Sequence, residues 1–457
     1  KDLKRDFNDW ISNLGRSKDK EVKVVAGAVG LVNKAGKPLI VPDTESPERP
    51  AYDALQAILT DPLKKDATAI QVGLTEEGAA VRYTVDGMPY EGAKLNRNES
   101  GGAIELLKRL AGLDIEEKRK PQTGTVKATL DKSKKEMSVT TRGSTAGETA
   151  AIEVNKKNWR MFTLDQTGMT ESQIKQVDKV LAEPAGIVLV AAQRGGGLRS
   201  LLYALGRKHD AFLLHIQTLE HAPEDELEGF TQNKLPADAA PGEMKKMASW
   251  IASQEPDVLI VDRVDDAEAA AELIDLAGRG KRIYIGIRAG NTLDALTMWR
   301  KQVGNDKLAV KHLQLIIAQR LIRKLCAACK LEYAPDPDTL RKLNMSPDKV
   351  GSLYQARTQP LRDPKGNPLV CEFCHDLHFR GRTGVYELLL VDDEVRQIIE
   401  TGASPNQLKM QFKKQKQKSL QENAVATAIA GDTSLQEVAR ILKSDESRSR
   451  SESRAKA

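Results

Sequence analysis

The sequence predicts an α/β protein in which a mostly parallel sheet forms the core, a small α+β domain precedes it, and a four-cysteine lobe and a helical segment follow. Three observations support this class. A chain of 457 residues is too long for one compact core, so about three domains are expected. Short apolar runs alternate with helical patterns in the middle of the chain, which is typical of a parallel sheet covered on both faces. Four cysteines in two close pairs come after these runs.

Charge and composition exclude some classes of protein. The 70 basic and 64 acidic residues give a net charge of +6 and are largely interspersed, which favours a solvated surface over a nucleic-acid-binding one. No apolar run approaches the roughly 18 residues of a membrane span. The chain starts at Lys1 without a methionine or a signal-like stretch, so we expect residues upstream to have been removed. Paired cysteines without a secretory signal favour a metal site in a reducing compartment.

The N-terminal part predicts an irregular leader and then the α+β domain. Turn-rich stretches such as Ser46-Pro47-Glu48-Arg49-Pro50 place the leader at residues 1–50. The domain, 51–155, follows from periodicity: a helix from about Tyr52, a strand over Ala79–Gly87 ending in an Asp-Gly turn signal, a helix over Ala103–Leu113 and strands between Gly124 and Val154. A linker over 156–170 leads to the core.

The core is predicted over residues 171–320. Its strands are the apolar runs Gly186–Val190, Ala211–Ile216, Asp257–Val261 and Arg282–Ile287, with helical patterns between them. A cysteine lobe follows at 321–385 and a helical segment at 386–443. The tail, 444–457, is rich in Ser, Arg and Glu and is expected to be disordered.

The cysteines form two C-x-x-C knuckles, Cys326–Cys329 and Cys371–Cys374. Each knuckle can direct two sulfurs to one tetrahedral ion, and four thiolates leave no open position for water. The spacing therefore predicts a structural zinc site rather than four unrelated buried cysteines. His375 and His378 lie close enough to be substitute ligands, but a complete set of four thiolates does not need them.

A glycine-rich loop follows the first core strand and leads into a helix. This is the place of a Walker A loop, G-x-x-x-x-G-K-[ST], whose lysine neutralises phosphate and whose hydroxyl binds Mg²⁺. Here Ala192 replaces the first glycine, Leu198 the lysine and Arg199 the hydroxyl. Gly195, Gly196 and Gly197 retain the capacity to form an anion-binding loop. Taken alone, the motif is equally explained as a glycine-rich turn into a helix.

Five longer stretches carry a family resemblance. They are Gly112–Gln122, Leu227–Phe230, Gln254–Val261, Gln319–Cys326 and Phe379–Leu388. With the cysteine knuckles, they make the chain from about Tyr52 to Leu442 similar to the hexameric motor ATPases of type II secretion and type IV pilus assembly. The resemblance implies a P-loop NTPase-type core, with ATP, Mg²⁺ and a structural zinc ion as the family's cofactors.

The same register exposes departures from the family's catalytic pattern. After strand Asp257–Val261 the family has a glycine and then a catalytic glutamate, where this chain has Asp262 and Arg263. A guanidinium stays protonated and cannot deprotonate attacking water. Asp262 retains the capacity to hold a magnesium-bound water, whereas the family's next arginine is Asp265. In the acidic box, Glu220 and Glu224 remain beside His221, and the two histidine-box positions are Lys281 and Arg288.

The first domain departs in the same way. Its family signature, aspartate-x-histidine-x-glutamate, reads Ala69, Gln71 and Gly73. Two positions of arginines that reach the nucleotide in the family are Ser138 and Thr149, while Arg82 and Arg119 remain. The vestigial nucleotide-binding set is therefore Gly195, Gly196, Gly197, Arg199, Ser200, Glu220 and Asp262, with no catalytic residue among them. Phosphoryl transfer depends on positioning and charge, so several such losses should reduce hydrolysis to near background.

These departures favour a non-hydrolysing relative of the secretion and pilus motors, acting as a scaffold or regulatory subunit. By resemblance, its partners are copies of itself in a hexameric ring, or an active paralogue in a mixed ring, and an inner-membrane platform protein. We expect a cytoplasmic location, peripheral to the inner membrane, and doubt that ATP and Mg²⁺ bind.

Two other functions stay open at this point. One is an active ATPase with an unorthodox site, in which Arg194 or Arg199 contacts phosphate and Glu220 or Glu224 orients water. The other is a zinc-stabilised binder of nucleic acid or an acidic partner, using the Arg-rich tail. Asp445, Glu446 and Glu452 dilute the charge of that tail.

Overall fold

The computed structural model describes residues 28–74, 78–131, 133–155, 162–221, 223, 226–236, 238–342, 351–402 and 405–442. The tail at 444–457, Glu224 and most of the leader lie outside these residues. Contacts divide the chain into two units. Unit 1 comprises the residues up to Val85 and Pro89–Asn155, and unit 2 comprises Asp86–Met88 and the chain from residue 156 onward.

Unit 1 is a seven-stranded sheet with two helices. Its elements are β1 (Gly30–Val32), α1 (Arg49–Lys64), β2 (Ala69–Leu74), β3 (Ala79–Val85), β4 (Met88–Leu95), α2 (Arg97–Ala111), β5 (Gln122–Leu130), β6 (Ser133–Ser144) and β7 (Gly147–Asn155). The sheet order is β1-β5-β6-β7-β2-β3-β4. The helical spacing of Leu55, Ile58 and Leu59 places all three on the buried face of α1.

Both ends of α2 are specified locally. The side chain of Asn96 accepts a hydrogen bond from the backbone N–H of Glu99, and the Glu99 carboxylate accepts one from the N–H of Asn96, both at 2.9 Å. This capping box satisfies two helix N–H groups. Gly112 ends α2 in the left-handed conformation. Strand β1, which falls in the segment assigned to the leader, pairs antiparallel with β5 and buries Leu31.

Unit 2 contains a second seven-stranded sheet. Its strands are β8 (Gly186–Ala192), β9 (Ile216–Glu220), β10 (Phe230–Lys234), β11 (Val258–Val261), β12 (Arg282–Ile287), β13 (Leu313–Leu325) and β18 (Phe379–Leu390). Their order in the sheet is β10-β9-β11-β12-β8-β13-β18, with parallel pairs except for antiparallel β13/β18. The helices between them are α3 (Glu171–Leu181), α4 (Leu198–Gly206), α5 (Glu243–Ala252), α6 (Ala267–Gly278), α7 (Thr292–Val303) and α8 (Asp306–Val310).

Strand β8 shows why its sequence is a continuous apolar run. Ile187 and Leu189 pack into the hydrophobic core on one face of the sheet, whereas Val188 and Val190 pack into the core on the other face. Since both faces are covered, no position of β8 is exposed. The loop that follows β8 therefore leaves a rigid central strand at the carboxyl edge of the parallel sheet.

The strand predicted over Ala211–Ile216 is misplaced. The structure has a turn there, in which the Asp210 side chain accepts a hydrogen bond from the N–H of Phe212 at 2.8 Å. Phe212 is 99% exposed, and β9 starts only at Ile216. Gln217 and Thr218 are fully buried within β9. These polar residues concealed the strand, because the prediction depended on apolar character.

The cysteine lobe and C-terminal helices complete unit 2. They contain β14 (Leu331–Tyr333), α9 (Pro337–Lys342), β15 (Leu353–Gln355), β16 (Leu361–Arg362), β17 (Pro368–Leu369), α10 (Asp393–Glu400), α11 (Pro405–Lys414), α12 (Leu420–Ile429) and α13 (435–442). The buried carboxylate of Glu387 accepts hydrogen bonds from the N–H of Thr292 at 3.0 Å and of Leu420 at 2.9 Å. One side chain on β18 thus caps both α7 and α12.

The predicted fold class is confirmed: a parallel P-loop NTPase-type core, a preceding α+β unit, clustered cysteines and C-terminal helices are all present. Among the residues that the structure describes, no helix combines the length and the apolar character needed to cross a membrane.

Candidate functional site

The glycine-rich loop connects β8 to α4. Gly195 and Gly197 have φ values of +74° and +84°, and Gly197 is the N-cap of α4. A Cβ on Gly197 would collide with the side-chain amide of Gln319. That amide donates a hydrogen bond to the carbonyl of Gly196 at 2.6 Å. The loop is therefore held against β13, and Gly197 is required both by its backbone conformation and by this close approach.

Leu198 occupies the lysine position of the Walker A motif as a core residue. Its side chain is 4% exposed and belongs to the apolar cluster beneath α4. Its Cδ2 atom lies 3.2 Å from the position that a Cβ of Gly286 would occupy. The leucine thus packs onto β12 and brings no positive charge to the loop.

Arg199, in the first turn of α4, faces the retained acidic-box residue. Its Nε atom lies 3.8 Å from the carboxylate of Glu220, which is 1% exposed. That carboxylate also accepts hydrogen bonds from the hydroxyl of Tyr203, from Thr218 Oγ1 at 2.7 Å and from Gln232 Nε2 at 3.3 Å. Glu220 is therefore held by several donors and neutralised by a guanidinium.

His221 connects two carboxylates beside the loop. Its Nδ1 lies 2.8 Å from Asp262 Oδ1, and its Nε2 lies 2.6 Å from Asp265 Oδ2. The backbone N–H of His221 donates to the other oxygen of Asp262 at 3.1 Å. Arg263 Nε lies 3.0 Å from Asp265 and is half exposed. Both oxygens of Asp262 thus have protein donors, and the arginine in the glutamate position is paired with Asp265.

Further arginines lie at the same edge of the sheet. Arg194 is in the loop and Arg288 follows β12, and both side chains are exposed. Partial burial lowers the pKa of Arg288, and the positive charges of Arg199, Arg194 and Arg263 lower it further. Arg382 Nη1 donates to the carbonyl of Gly195 at 3.5 Å. The loop therefore lies in a strongly cationic environment.

The structure brings most of the expected nucleotide-binding set together. Arg199 forms an ion pair with Glu220. Asp262 contacts the side chain of His221, the residue that follows Glu220 in the chain. Ser200 lies half-buried in the first turn of α4. Lys281, by contrast, precedes β12 and contacts Asp257 at 3.6 Å, at the opposite end of the strand from Arg288. Only one of the two histidine-box positions is therefore near the loop.

Sequence reasoning missed Tyr203, Thr218, Gln232 and Arg382 as neighbours of the site. Tyr203 lies one helical turn after Arg199, and that i, i+4 spacing was a usable signal. Thr218 alternates with Glu220 on one strand, which places both side chains on one face. The contacts of Gln232 and Arg382 depend on strands far apart in sequence, so no local signal existed.

In unit 1, the substituted signature Ala69, Gln71 and Gly73 lies on β2. Ser138 is on β6 and Thr149 on β7. Arg82 forms an exposed ion pair with Glu91 at 3.2 Å, and exposed pairs of this kind contribute little to stability.

The four cysteines form the second candidate site. Cys326 follows β13, and its N–H donates to the carbonyl of His378 at 2.9 Å. The N–H of Cys371 donates to the Asp376 carboxylate at 2.9 Å. His375, Asp376 and His378 all have positive φ. These turns and bonds bring the second knuckle back to the first.

The sulfur geometry fits a tetrahedral metal ion. All four sulfurs lie within 4.8 Å of one another and all four cysteines are buried. The Cys326–Cys371 and Cys329–Cys374 sulfur distances are 3.9 and 3.5 Å, too long for disulfides. Four sulfurs about 2.3 Å from zinc would be separated by about 3.8 Å. Neither His375 nor His378 belongs to this group, which in the described ranges consists of the four cysteines.

Burial raises the pKa of the Cys329 thiol, and it raises that of Cys374 to about 12. Close packing of thiols opposes the formation of several thiolates. A bound dication would reverse this preference, since it stabilises the thiolate form.

A family model described as "Type II/IV secretion system protein" matches residues 44–440. Type II secretion system protein E of Klebsiella pneumoniae is 31% identical over 406 residues, which are 88% of this chain and 78% of the relative. The type IV pilus assembly ATPase PilB of Thermus thermophilus is 26% identical over 395 residues, which are 86% of this chain but 43% of PilB.

Two solved structures share the fold. The Legionella pneumophila ATPase DotB has a TM-score of 0.55 at 15% identity, covering 85% of this chain and 94% of DotB. The pilus retraction motor PilT with bound ADP has a TM-score of 0.50 at 14% identity, covering 84% of this chain and 95% of PilT.

Proposed function

Because this chain belongs to the type II/IV secretion system protein family, we propose that it is a family member that does not hydrolyse ATP and acts as a scaffold or regulatory subunit of a secretion or pilus-assembly apparatus. The observation that carries the proposal is the pair of substitutions at the loop. Leu198, in the lysine position, is packed in the core, and Arg263, in the glutamate position, is paired with Asp265.

The chemistry of phosphoryl transfer explains why these two positions matter. The lysine of a Walker A loop offsets charge on the β- and γ-phosphates, and a buried leucine offsets none. The catalytic glutamate orients water, whereas the Arg263 guanidinium has only donors and keeps its proton. Removing a single electrostatic contact lowers the rate by about 10²–10³, so the combined losses bring turnover to background.

Glu220 is a poor replacement for the missing base. Its carboxylate accepts hydrogen bonds from Tyr203, Thr218 and Gln232, and Arg199 lies beside it. These donors already engage the carboxylate oxygens, so a water could be oriented there only by displacing an existing partner. Asp262 is similarly engaged by His221 through both oxygens. These contacts argue against the alternative in which Glu220 orients the attacking water; Glu224, the other residue of that alternative, lies outside the described residues.

The remaining assignments belong to the same proposal. The nucleotide-binding set of Gly195, Gly196, Gly197, Arg199, Ser200, Glu220 and Asp262 is vestigial. Cys326, Cys329, Cys371 and Cys374 hold a structural Zn²⁺ ion, which closes the lobe without taking part in chemistry. The subunit forms a ring, a hexamer of identical copies or a mixed ring with an active paralogue. It works at the cytoplasmic face of the inner membrane, with a membrane platform protein as partner.

The test is phosphate release by the purified chain with ATP, in Mg²⁺ and in EDTA. We expect no release above the protein-free background in either. Magnesium-dependent release that disappears in Glu220→Gln would contradict the proposal, because it would show that this carboxylate supports hydrolysis. Mass photometry of the same sample tests the ring: a species near six times 50.2 kDa is expected, and a monomer at every concentration would exclude a homo-oligomeric ring.

A further inference from the structure

Four arginines gather around the N-terminus of α4 in unit 2. Arg194 follows β8, Arg263 follows β11, Arg288 follows β12, and Arg199 lies in the first helical turn. Because β11, β12 and β8 are adjacent parallel strands, their carboxyl ends meet at one edge of the sheet. The first three arginines are thus brought together by topology rather than by sequence proximity.

The carboxylates of the described residues balance only part of this charge. Glu220 faces Arg199, and Asp265 pairs with Arg263 and with His221. Neither Arg194 nor Arg288 forms an ion pair within the part of the chain that the structure describes. The Arg288 guanidinium feels the positive charge of Arg199, Arg194 and Arg263, which the single carboxylate of Asp262 opposes only in part. The arrangement therefore has the electrostatics of an anion site.

We propose that Arg194, Arg199 and Arg288, here called the arginine cluster, bind the phosphates of a small polyphosphate anion without Mg²⁺. The inference deepens the proposed function, since it concerns the same loop. Guanidinium groups form bidentate hydrogen bonds with phosphate oxygens, and the positive end of the α4 helix dipole adds a favourable field. A Cβ on Gly195 would meet nothing within 4 Å, so space is available beside the loop.

Arg199 explains why Mg²⁺ is not needed. It stands in the position of the hydroxyl that binds Mg²⁺ in a Walker A loop, and its guanidinium lies beside the acidic-box Glu220. A fixed monocation therefore sits where the sequence motif would supply a metal ligand. A polyphosphate already carrying Mg²⁺ has less negative charge to offer and brings a dication towards the arginines. Mg²⁺ should consequently weaken binding, the reverse of its effect at a functional P-loop.

The experiment is calorimetric titration of the full chain with pyrophosphate and with ADP, each in EDTA and in excess Mg²⁺. We expect binding in EDTA and an affinity at least about tenfold lower in Mg²⁺, or about 1.4 kcal/mol. Combining Arg194→Ala with Arg288→Ala should weaken Mg²⁺-free binding by about tenfold or more. The control Arg279→Ala removes an exposed arginine that directly follows α6 and pairs with Asp275, and should change nothing.

Two further arms sharpen the result. Arg199→Thr removes the guanidinium and supplies a hydroxyl, so Mg²⁺ should then assist binding instead of weakening it. Equal affinity for pyrophosphate and ADP would identify a site for phosphate groups alone, and tighter ADP binding would identify a nucleotide site; both support the inference. No binding in EDTA, binding only with Mg²⁺, or binding unchanged in the double variant would overturn it. These outcomes differ from phosphate release from ATP, which would instead overturn the proposed lack of hydrolysis.

Discussion

Leu198 lies directly over Gly286, with its Cδ2 atom 3.2 Å from where a Cβ of that glycine would be. The Gly286 position is also closed by the backbone of Asp262, which approaches it closely. The residue in the lysine position thus packs α4 against β12. A position that handles charge in a Walker A loop has become part of the packing of the sheet.

Introducing a lysine at position 198 alone is therefore not expected to produce ATP hydrolysis. Leu198→Lys places an ammonium group at a site that is 4% exposed, and should destabilise the chain by about 1–3 kcal/mol. ATP turnover should stay at background because Arg263 still occupies the glutamate position. Urea unfolding and phosphate release check both parts. Leu198→Met, which preserves volume and lacks charge, is the control and should lose less than about 1.5 kcal/mol. Substantial turnover in the lysine variant would contradict the assigned register.

Two glycines of the loop should respond differently to alanine. Gly197→Ala combines a positive φ with a collision against Gln319, whereas Gly195→Ala has the positive φ alone. We expect Gly195→Ala to cost about 1–2 kcal/mol and Gly197→Ala clearly more. Thermal unfolding of the two variants under identical conditions measures the difference. Equal losses would show that the Gln319 amide does not hold the loop.

Metal removal should affect the cysteine lobe selectively. Cys371→Ser, or treatment with a strong chelator, removes one ligand or the ion, so residues 326–378 should become sensitive to protease while unit 1 stays resistant. The matched control is Glu372→Ala, which changes an exposed neighbour that is not a ligand. Limited proteolysis with mass spectrometry locates the cuts, and elemental analysis reports about one zinc per chain. Unchanged proteolysis after complete zinc loss would show that the cysteines close the lobe without metal.

Stability should fall as the pH is lowered through the range in which His209 would titrate. Burial, with a smaller contribution from Arg282, lowers the pKa of His209 to about 4, below the ordinary value near 6.5. The unfolded chain therefore binds more protons between these values, and the stability present above pH 6.5 is lost progressively towards pH 4. His209→Gln should flatten the dependence of the melting temperature on pH in this window. His215→Gln, at an exposed position, is the control and should leave it unchanged.

Glu437 makes stability depend on pH in a lower range than His209 does. Burial of Glu437 would raise its pKa, but hydrogen bonds from Arg440 and Arg323 outweigh burial and lower the pKa to about 2. Its contribution is complete above its ordinary value near 4.3 and is lost as the pH falls towards 2. A slope that persists in His209→Gln between pH 6.5 and 4.5 would therefore have to arise from groups other than these two.

The sequence predicted well those features that depend on local chemistry. Two C-x-x-C knuckles were sufficient to predict four clustered thiols, because each knuckle already directs two sulfurs the same way. The apolar run of β8 and the glycine loop after it were recognisable for the same reason. Periodicity failed at β9, whose buried Gln217 and Thr218 are stabilised by hydrogen bonds rather than by apolar packing.

The side-chain contacts within the candidate site could not be predicted from local sequence patterns. The register showed that Arg199 and Glu220 occupy motif positions, but not that they face each other, because that depends on how β9 lies relative to β8. The link from His221 to both Asp262 and Asp265 likewise depends on the adjacent pairing of β9 and β11. Substituted residues that are far apart along the chain therefore contact one another in the folded structure.

The Glu387 carboxylate on β18 caps both α7 and α12, and so connects a C-terminal helix to the central sheet. Arg323 on β13 is likewise neutralised from α13 by Glu437 at 2.7 Å. Shortening the protein before residue 420 would remove the Leu420 donor from the buried Glu387 carboxylate and the Glu437 carboxylate from Arg323. The last helices thus supply a hydrogen-bond donor to β18 and a counter-charge to β13, so losing them would weaken the two strands next to β8.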